Sequence, residues 1–225
     1  SSKSGASDLL EALGVNIMLE PEETSKCINT IGIGFMNAQK FHKAMKNVAG
    51  VRRELGIRTL FNMMGPLSNP SNAKRQVIGV FDSETVPVFS SVMKALGVTD
   101  AVVVHGLDGM DELTTTTKTL VNEIKDGAIT EYEIDPADYG IPYSKPEDLV
   151  GGTGADNAEI TRAIFRGEKG PKRDIVVLNA GMGIYIGKKA ADLAEGIKIA
   201  EEMIDSGLAA KKLEEMIELT NKLGG

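Results

Sequence analysis

Residues 76–134 constrain the fold more than any other part of the sequence. Short apolar runs with strand character cover 77–80, 101–105, 119–125 and 129–134, and a helical pattern covers 85–96. The last two strand patterns flank Asp126-Gly127, a dipeptide typical of a two-residue hairpin turn. Strands that alternate with a helix and then form a hairpin predict an α/β fold, with a mixed central sheet flanked by helices.

The rest of the chain is predicted to be mostly helical. Helical patterns cover 8–13, 21–31, 44–55, 58–64, 157–166, 175–186, 193–208 and 210–223. Residues 15–19 are predicted to form a brief strand or an extended segment, and the glycine-broken residues 31–36 a strand. Gly183 and Gly187 have the spacing of a close helix contact. Residues 151–157 look like a phosphate loop but lack its lysine, so they are predicted to be a turn and a helix N-cap.

Composition narrows the class of protein. The chain has 225 residues, of which 42% are hydrophobic and 25% charged, and these values are typical of globular domains. A formal charge of -7 argues against nucleic acid or an anionic membrane as a partner. Because no apolar run has the length of a membrane helix and no signal peptide pattern opens the sequence, we expect a cytoplasmic protein. Cys27, alone in the chain, is predicted to be a reduced, structural thiol.

Cationic side chains are concentrated in residues 41–70, a helical pattern that ends at Gly65-Pro66. In an acidic protein this concentration predicts an anionic ligand. Neighbouring side chains on a helix point in different directions, so only one of Arg52 and Arg53 can face a given pocket. Arginine holds carboxylates in a bidentate manner, which favours a small carboxylated substrate. The alternative is a structural ion pair on the surface.

A second candidate site follows the strand at 101–105. The next loop carries Asp108, Asp111 and Glu112, and adjacent carboxylates on a loop are ligands that suit Mg²⁺ when it also holds substrate phosphates. The alternative is a solvated turn. Residues 114–117 are four threonines that either bind phosphate or form a β-rich stretch that leads into the hairpin. His105 is either an acid or base, or a hydrogen-bonding residue at the end of a strand.

Several motifs together resemble one family. The chain begins S-S-K-S-G, residues 42–59 read H-x-A-M-K-N-V-A-x-V-R-R-E-L-G-I-R-T, residues 61–70 read F-N-M-M-G-P-L-S-N-P, and residues 103–112 read V-V-H-G-x-D-G-M-D-E. These blocks closely resemble the anthranilate phosphoribosyltransferases of tryptophan biosynthesis, and the resemblance runs along nearly the whole chain. The blocks at 42–70 and 103–112 separate this family from the pyrimidine nucleoside phosphorylases, its relatives in fold.

The resemblance implies both a fold and an activity. The fold is that of type III phosphoribosyltransferases and nucleoside phosphorylases, with remnants of a helical small domain. Residues 1–40 are then the start of the α/β domain, 41–70 a helical segment of the small domain, and 71–225 the main α/β domain. The implied activity is a glycosyltransferase reaction that moves phosphoribosyl from phosphoribosyl pyrophosphate to the amino group of anthranilate, with release of pyrophosphate and help from Mg²⁺.

The resemblance also assigns roles to individual residues. Arg52 matches the arginine that meets the anthranilate carboxylate, and His42, Asn47 and Pro66 lie in segments that line the anthranilate channel. Asp111 and Glu112 match the metal-binding pair of the family. The loop that wraps the ribose and phosphates ends at positions matched by Ser1 and Ser2, and Ser7 is a further candidate for that substrate.

The sequence departs from the family in three ways. The family's glycine-rich phosphate loop and most of its helical N-terminal domain, which supplies the homodimer contact, precede the first residue of this chain. We therefore expect the chain alone to bind phosphoribosyl pyrophosphate poorly and to turn over slowly or not at all. Ala6 replaces a phosphate-binding serine, and Asn37 replaces a large apolar residue. The alternatives are an enzyme like a nucleoside phosphorylase and a truncated α/β domain without catalytic activity.

Overall fold

The computed structural model describes residues 4–41, 65 and 67–224. The elements within these residues are α1 (Ala6–Leu13), α2 (Pro21–Ile31), α3 (Ala38–Phe41), β1 (Arg75–Gly79), α4 (Thr85–Ala95), β2 (Asp100–Gly106), β3 (Thr119–Lys125), β4 (Ala128–Ile134), α5 (Gly154–Phe165), α6 (Pro171–Ile186), α7 (Leu193–Asp205) and α8 (Leu208–Leu223), with short 3-10 helices at Pro136–Tyr139 and Pro146–Leu149. The helices predicted over 44–55 and 58–64 lie outside the described residues.

The chain divides into two compact units. One, here called the helical unit, comprises Ser1–Pro70, Val150–Gly167 and Ser206–Gly225, and the other, the sheet unit, comprises Ser71–Leu149 and Glu168–Asp205. The predicted division into 1–40, 41–70 and 71–225 stays a prediction. No helix among the described residues is long and apolar enough to cross a membrane.

The helical unit packs α1 against α5 and α8 against α2. Its residues 15–19 are extended, and Val15 and Ile17 are buried in a cluster with Met216 of α8. The backbone N–H of Asn16 donates to the Thr220 hydroxyl of α8 at 3.1 Å, and a helix side chain thus takes the place of a neighbouring strand. Of the two predicted alternatives for this segment, the extended one is observed.

The strand predicted over residues 31–36 is wrong. Helix α2 continues to Ile31 and ends at Gly32, whose φ of 77° stops the helix in the left-handed conformation. The turn that follows leads to Asn37, which is only 7% exposed. Its Oδ1 accepts a hydrogen bond of 3.0 Å from the backbone N–H of Gln39 in the first turn of α3. Asn37 therefore has a local capping role at the start of α3.

Cys27 of α2 is fully buried. Its burial, with a smaller effect from the charge of Glu23, raises the pKa of the thiol. A buried thiol that stays protonated is a poor nucleophile, in agreement with the predicted structural role.

The sheet unit contains a four-stranded mixed sheet in the order β1-β2-β3-β4. Strand β1 pairs in parallel with β2, whereas β2 with β3 and β3 with β4 pair antiparallel. The hairpin between β3 and β4 turns at Asp126 and Gly127, whose φ values of 50° and 77° match the predicted two-residue turn. Strand β2 is the core of the unit, since its residues 101–104 are at most 1% exposed. The predicted α/β fold with a mixed sheet is confirmed.

Close helix packing occurs in the sheet unit, but at other glycines than those predicted. A Cβ atom at Gly183 would meet no atom within 4 Å, and one at Gly187 would approach only the backbone of its own helix. The tight approach joins α6 to α7, where a Cβ on Gly196 would lie 2.3 Å from the carbonyl oxygen of Gly181. The spacing at 183 and 187 reflects a helix end, and the contact lies at the neighbouring Gly181.

Candidate active site

The candidate site lies where β1 and β2 end. Parallel strands bring their carboxyl ends to the same edge of a sheet, which is where α/β proteins place their ligand-handling loops. After β2 the chain turns sharply, with the N–H of Gly106 donating to the carbonyl of Met110 at 2.8 Å. The N–H of Leu107 donates to the carbonyl of Lys118 at 2.9 Å and closes the base of the loop. We refer to residues 107–118 as the acidic loop.

Asp108 holds the acidic loop together from within. Its Oδ1 accepts from the N–H of Met110 at 3.0 Å, and its Oδ2 accepts from the hydroxyls of Thr114, at 2.6 Å, and of Thr116. Desolvation acts to raise the pKa of Asp108, but these hydrogen bonds outweigh it and hold the pKa below its usual range. Asp108 is therefore an ionised structural residue of the loop.

The threonines of the loop are engaged in its internal contacts. Thr114 and Thr115 are fully buried, and the Thr115 hydroxyl lies 3.0 Å from that of Ser144. The segment from 114 to 118 forms no strand. The predicted β-rich character is therefore wrong here, although these residues do lead into strand β3. Phosphate binding by their hydroxyls stays a prediction.

His105 lies at the end of β2, just before the acidic loop. Its Nδ1 is 2.9 Å from the carbonyl oxygen of Val80, and the ring is 8% exposed. This contact ties the ends of β1 and β2 together. The predicted alternative of a hydrogen-bonding histidine at a strand end fits this position.

Two contacts fix the backbone around Asp111 and Glu112. Before the pair, the carbonyl of Asp111 lies against Gly79 of β1, so closely that a Cβ at position 79 would be 1.5 Å from that oxygen. After the pair, the side-chain amide of Asn179 on α6 bonds both backbone groups of Leu113, at 3.0 Å to its N–H and 2.8 Å to its carbonyl. The sequence offered no sign of this role for Asn179, because it lies 66 residues away along the chain.

The side chains of Asp111 and Glu112 are exposed at the surface of the loop. Partial desolvation, followed by the charges of Asp111 and Asp108, raises the pKa of Glu112. Among the described residues no group of three His, Cys, Asp or Glu side chains is placed to hold a metal ion. Mg²⁺ is commonly held by one or two carboxylates together with substrate phosphates and water, so an uncompensated pair of hard oxygen donors fits this ion.

Of the other predicted site residues, Ser7 lies in the described part of the chain. Ser7 is the second residue of α1 and is half-buried, directly after Ala6. The side chain of Asn157 donates to the Ser4 hydroxyl at 2.9 Å and accepts from the N–H of Gly152, also at 2.9 Å. Thr153 is the N-cap of α5, as predicted for this turn. Outside the described residues lie the remaining candidates, Ser1, Ser2, His42, Asn47, Arg52 and Pro66, and their roles stay predictions.

A cavity of about 250 Å³ lies at the opposite edge of the same sheet. Its charged groups pair with one another: Lys188 bonds Asp100, and the Tyr185 hydroxyl lies 2.7 Å from Glu123 and 3.2 Å from Lys125. Compensated charges of this kind stabilise the fold and leave no group in need of a ligand.

Comparison with known proteins identifies the family. Residues 1–210 match the model of a family described as "Glycosyl transferase family, a/b domain". The chain belongs to this glycosyl transferase family. Among its relatives, the anthranilate phosphoribosyltransferases of Acetivibrio thermocellus and of a Thermoanaerobacter species are 56% and 54% identical, over 98% and 99% of this chain. The resemblance seen in the sequence motifs is thereby confirmed.

Solved structures of the glycosyl transferase family share the fold. Anthranilate phosphoribosyltransferase from Thermus thermophilus superposes with a TM-score of 0.91 at 40% identity, over 98% of this chain. The Saccharomyces cerevisiae enzyme in complex with phosphoribosyl pyrophosphate and Mg superposes with a TM-score of 0.89 at 26% identity, over 97% of this chain. The chain spans 64% and 66% of the length of the two curated relatives and 65% and 63% of the two structures.

Proposed function

We propose that this chain is part of an enzyme that transfers phosphoribosyl from phosphoribosyl pyrophosphate to anthranilate, giving N-(5-phosphoribosyl)anthranilate and pyrophosphate in tryptophan biosynthesis. Relatives more than half identical carry the name of this activity. The observation that carries the proposal is the Asp111–Glu112 pair, exposed at the carboxyl end of β2 and fixed in place by Gly79 and Asn179. We also propose a cytoplasmic location and a homodimer for the whole protein.

The proposed phosphoribosyl transfer requires stabilisation of developing charge and positioning of the two substrates. When pyrophosphate leaves the ribose, positive charge grows at C1 and negative charge on the leaving group. Mg²⁺, held by Asp111 and Glu112, would act as a Lewis acid toward that leaving group. The acidic loop contributes by placing the two carboxylates before substrate arrives, which avoids reorganisation during the reaction. The anthranilate amine is itself a usable nucleophile, so holding it near C1 requires no side-chain nucleophile.

The substrate-binding roles come from the matched motifs. Arg52 is proposed to hold the anthranilate carboxylate in a bidentate manner, as its guanidinium geometry favours. His42, Asn47 and Pro66 are proposed to line the anthranilate channel. Ser1, Ser2 and Ser7 are proposed to contact phosphoribosyl pyrophosphate. Ser7 is supported by its position in the first turn of α1, where backbone N–H groups favour anions.

The test compares two reactions and two neighbouring arginines. The protein is incubated with anthranilate, phosphoribosyl pyrophosphate and Mg²⁺, and the loss of anthranilate fluorescence is followed. Separate incubations contain purine or pyrimidine nucleosides with phosphate. Calorimetric titration with anthranilate then compares Arg52→Ala with Arg53→Ala. We expect the whole protein to consume anthranilate and this chain alone to do so slowly or not at all. We also expect a loss of anthranilate affinity of about tenfold or more for Arg52→Ala but not for Arg53→Ala.

Other outcomes would contradict specific parts of the proposal. Phosphorolysis of nucleosides without consumption of anthranilate would replace it with a nucleoside phosphorylase activity. An ordered sheet that binds neither Mg²⁺ nor substrate would favour a domain without catalytic activity. Equal losses in both arginine variants would remove the specific role of Arg52 and leave the reaction in place.

A further inference from the structure

The side chain of Asn179 bonds both backbone polar groups of one residue of the acidic loop. Its Oδ1 accepts from the N–H of Leu113 at 3.0 Å, and its Nδ2 donates to the carbonyl of Leu113 at 2.8 Å. The same Nδ2 donates to the carbonyl of Ile175, one turn earlier in α6, at 3.0 Å. The amide orientation is therefore fixed, since only the oxygen can face the N–H and only the nitrogen can face the two carbonyls.

This contact supplies hydrogen-bond partners to a buried residue of the acidic loop. Leu113 is fully buried, so its backbone N–H and carbonyl need partners inside the protein. No strand in the described part of the chain pairs with residues 107–118, and the amide of Asn179 supplies both partners in the manner of a neighbouring strand. A helix thereby holds the backbone at the residue that directly follows Glu112.

The contact is also placed to control the carboxylate pair. The N–H of Leu113 belongs to the planar peptide unit that also contains the carbonyl of Glu112, so the bond to Asn179 restrains the backbone of Glu112 directly. On the other side, the carbonyl of Asp111 is held against Gly79. The carboxylates at 108, 111 and 112 repel one another, and this repulsion would spread the loop if either restraint were absent. The pair thus lies between two fixed points, one on β1 and one on α6.

We infer that Asn179 is a positioning residue for the Asp111–Glu112 metal site, and that it acts through the backbone of Leu113. The inference rests on the proposed function, because it takes the pair to bind a divalent cation. Asn179 sets the separation and direction of the two carboxylates. Outer partners that orient metal ligands typically contribute tenfold to a hundredfold in metal affinity, although they never touch the metal.

The test measures cation binding and stability separately. Wild-type protein and Asn179→Leu, which has a similar volume but no hydrogen-bonding group, are titrated with Mn²⁺ and followed by electron paramagnetic resonance. Thermal unfolding is recorded on the same samples. We expect Asn179→Leu to bind Mn²⁺ about tenfold more weakly or worse while still folded. Asn179→Gln, which keeps the amide but moves it outward by one methylene, is expected to weaken binding to a smaller extent.

The matched control is Asn122→Leu. Asn122 is a buried amide on β3 of the same unit that hydrogen-bonds Ser90 at 3.2 Å on the α4 side of the sheet. This variant is expected to lose stability and keep its affinity for Mn²⁺. If Asn179→Leu fails to fold, Asn179→Gln and the exchange rate of the Leu113 amide hydrogen, expected to rise in that variant, decide the question.

The outcomes separate this inference from the proposed function. Wild-type affinity for Mn²⁺ in folded Asn179 variants would overturn the positioning role and leave the metal pair intact. Equal losses of affinity in the Asn122 and Asn179 variants would overturn it as well, because general destabilisation would then explain both. A wild-type protein that binds no Mn²⁺ would overturn the metal pair itself, and the positioning role with it.

Discussion

Carboxylates near the two ends of strand β2 lie in opposite electrostatic surroundings. At its start, Asp100 bonds Lys188 and lies 4.0 Å from Arg75, and the hydrogen bond from Lys188 is the main reason that the pKa of Asp100 lies below its usual range. Beyond its end, desolvation and the charges of Asp111 and Asp108 raise the pKa of Glu112. The same strand thus begins at a carboxylate that is paired with cations and leads to one that lies close to other carboxylates.

The difference separates stability from function within one element. A carboxylate that is paired with cations favours the folded state at neutral pH, whereas carboxylates held close together oppose it unless something else binds them. Proteins keep such unfavourable groups where activity needs them. The surrounding contacts agree with this interpretation, since Gly79 and Asn179 restrain the backbone of the acidic loop, while Asp111 and Glu112 form no ion pair within the described ranges 4–41, 65 and 67–224.

The largest expected effect comes from filling the space beside the Asp111 carbonyl. Gly79→Ala would place a Cβ 1.5 Å from that oxygen, where only backbone could move away. We expect a loss of about 3 kcal/mol in the free energy of unfolding, measured in urea, together with loss of Mn²⁺ binding. The control is Gly183→Ala in α6, where a Cβ meets nothing within 4 Å and better helix propensity adds up to about 1 kcal/mol. If Gly79→Ala kept both its free energy of unfolding and its Mn²⁺ binding, the contact with the Asp111 carbonyl would not be a restraint.

The next effect concerns the carboxylate that binds the loop to itself. Asp108→Ala removes the acceptor for Met110, Thr114 and Thr116, and we expect a loss of about 1–2 kcal/mol at pH 7, since the side chain is partly exposed. Because the folded pKa of Asp108 is lowered, its stabilising effect is present above the unfolded pKa of about 3.9 and is lost as the pH falls through the folded value. Urea unfolding at several pH values checks this. If the difference in unfolding free energy between the wild type and Asp108→Ala grew as the pH fell, this expectation would be contradicted.

Elements that depend on a few adjacent residues were predictable from the sequence. The Asp126-Gly127 turn and strand β2 were found because a few adjacent residues determine each of them. The strand predicted at 31–36 failed because its apolar residues serve α2 and the turn after it. A motif is sufficient to propose Asp111 and Glu112 as a metal pair, but no motif indicates Asn179, because a side chain 66 residues away reaches the loop only in the folded chain. Long-range contacts of this kind leave no local pattern.

At the compensated end of β2 the expected effect is smaller. Asp100→Asn should cost up to about 1 kcal/mol at pH 7, because the Lys188 partner is half exposed and such pairs are weak. The lowered folded pKa of Asp100 means that this contribution too is lost as the pH falls through that value. Lys188→Met serves as the second arm of a double-mutant cycle, in which the two losses should not add. Additive losses would show that the pair does not interact.

The smallest expected effect is a gain in stability on removal of the Glu112 charge, in contrast to the loss expected at Asp100. Glu112→Gln removes a repelled charge, so without divalent cations we expect a gain of a few tenths of a kcal/mol at pH 7. Because the folded pKa of Glu112 is raised, the wild type is relatively more stable below the unfolded pKa of about 4.3 and loses this advantage as the pH rises through the folded value. The gain of the variant should therefore vanish in acid.

Added Mg²⁺ should stabilise the wild type and leave Glu112→Gln unchanged, as thermal unfolding with and without the ion would measure. A variant that is less stable at pH 7, or that still responds to Mg²⁺, would mean that this carboxylate is structural like Asp100.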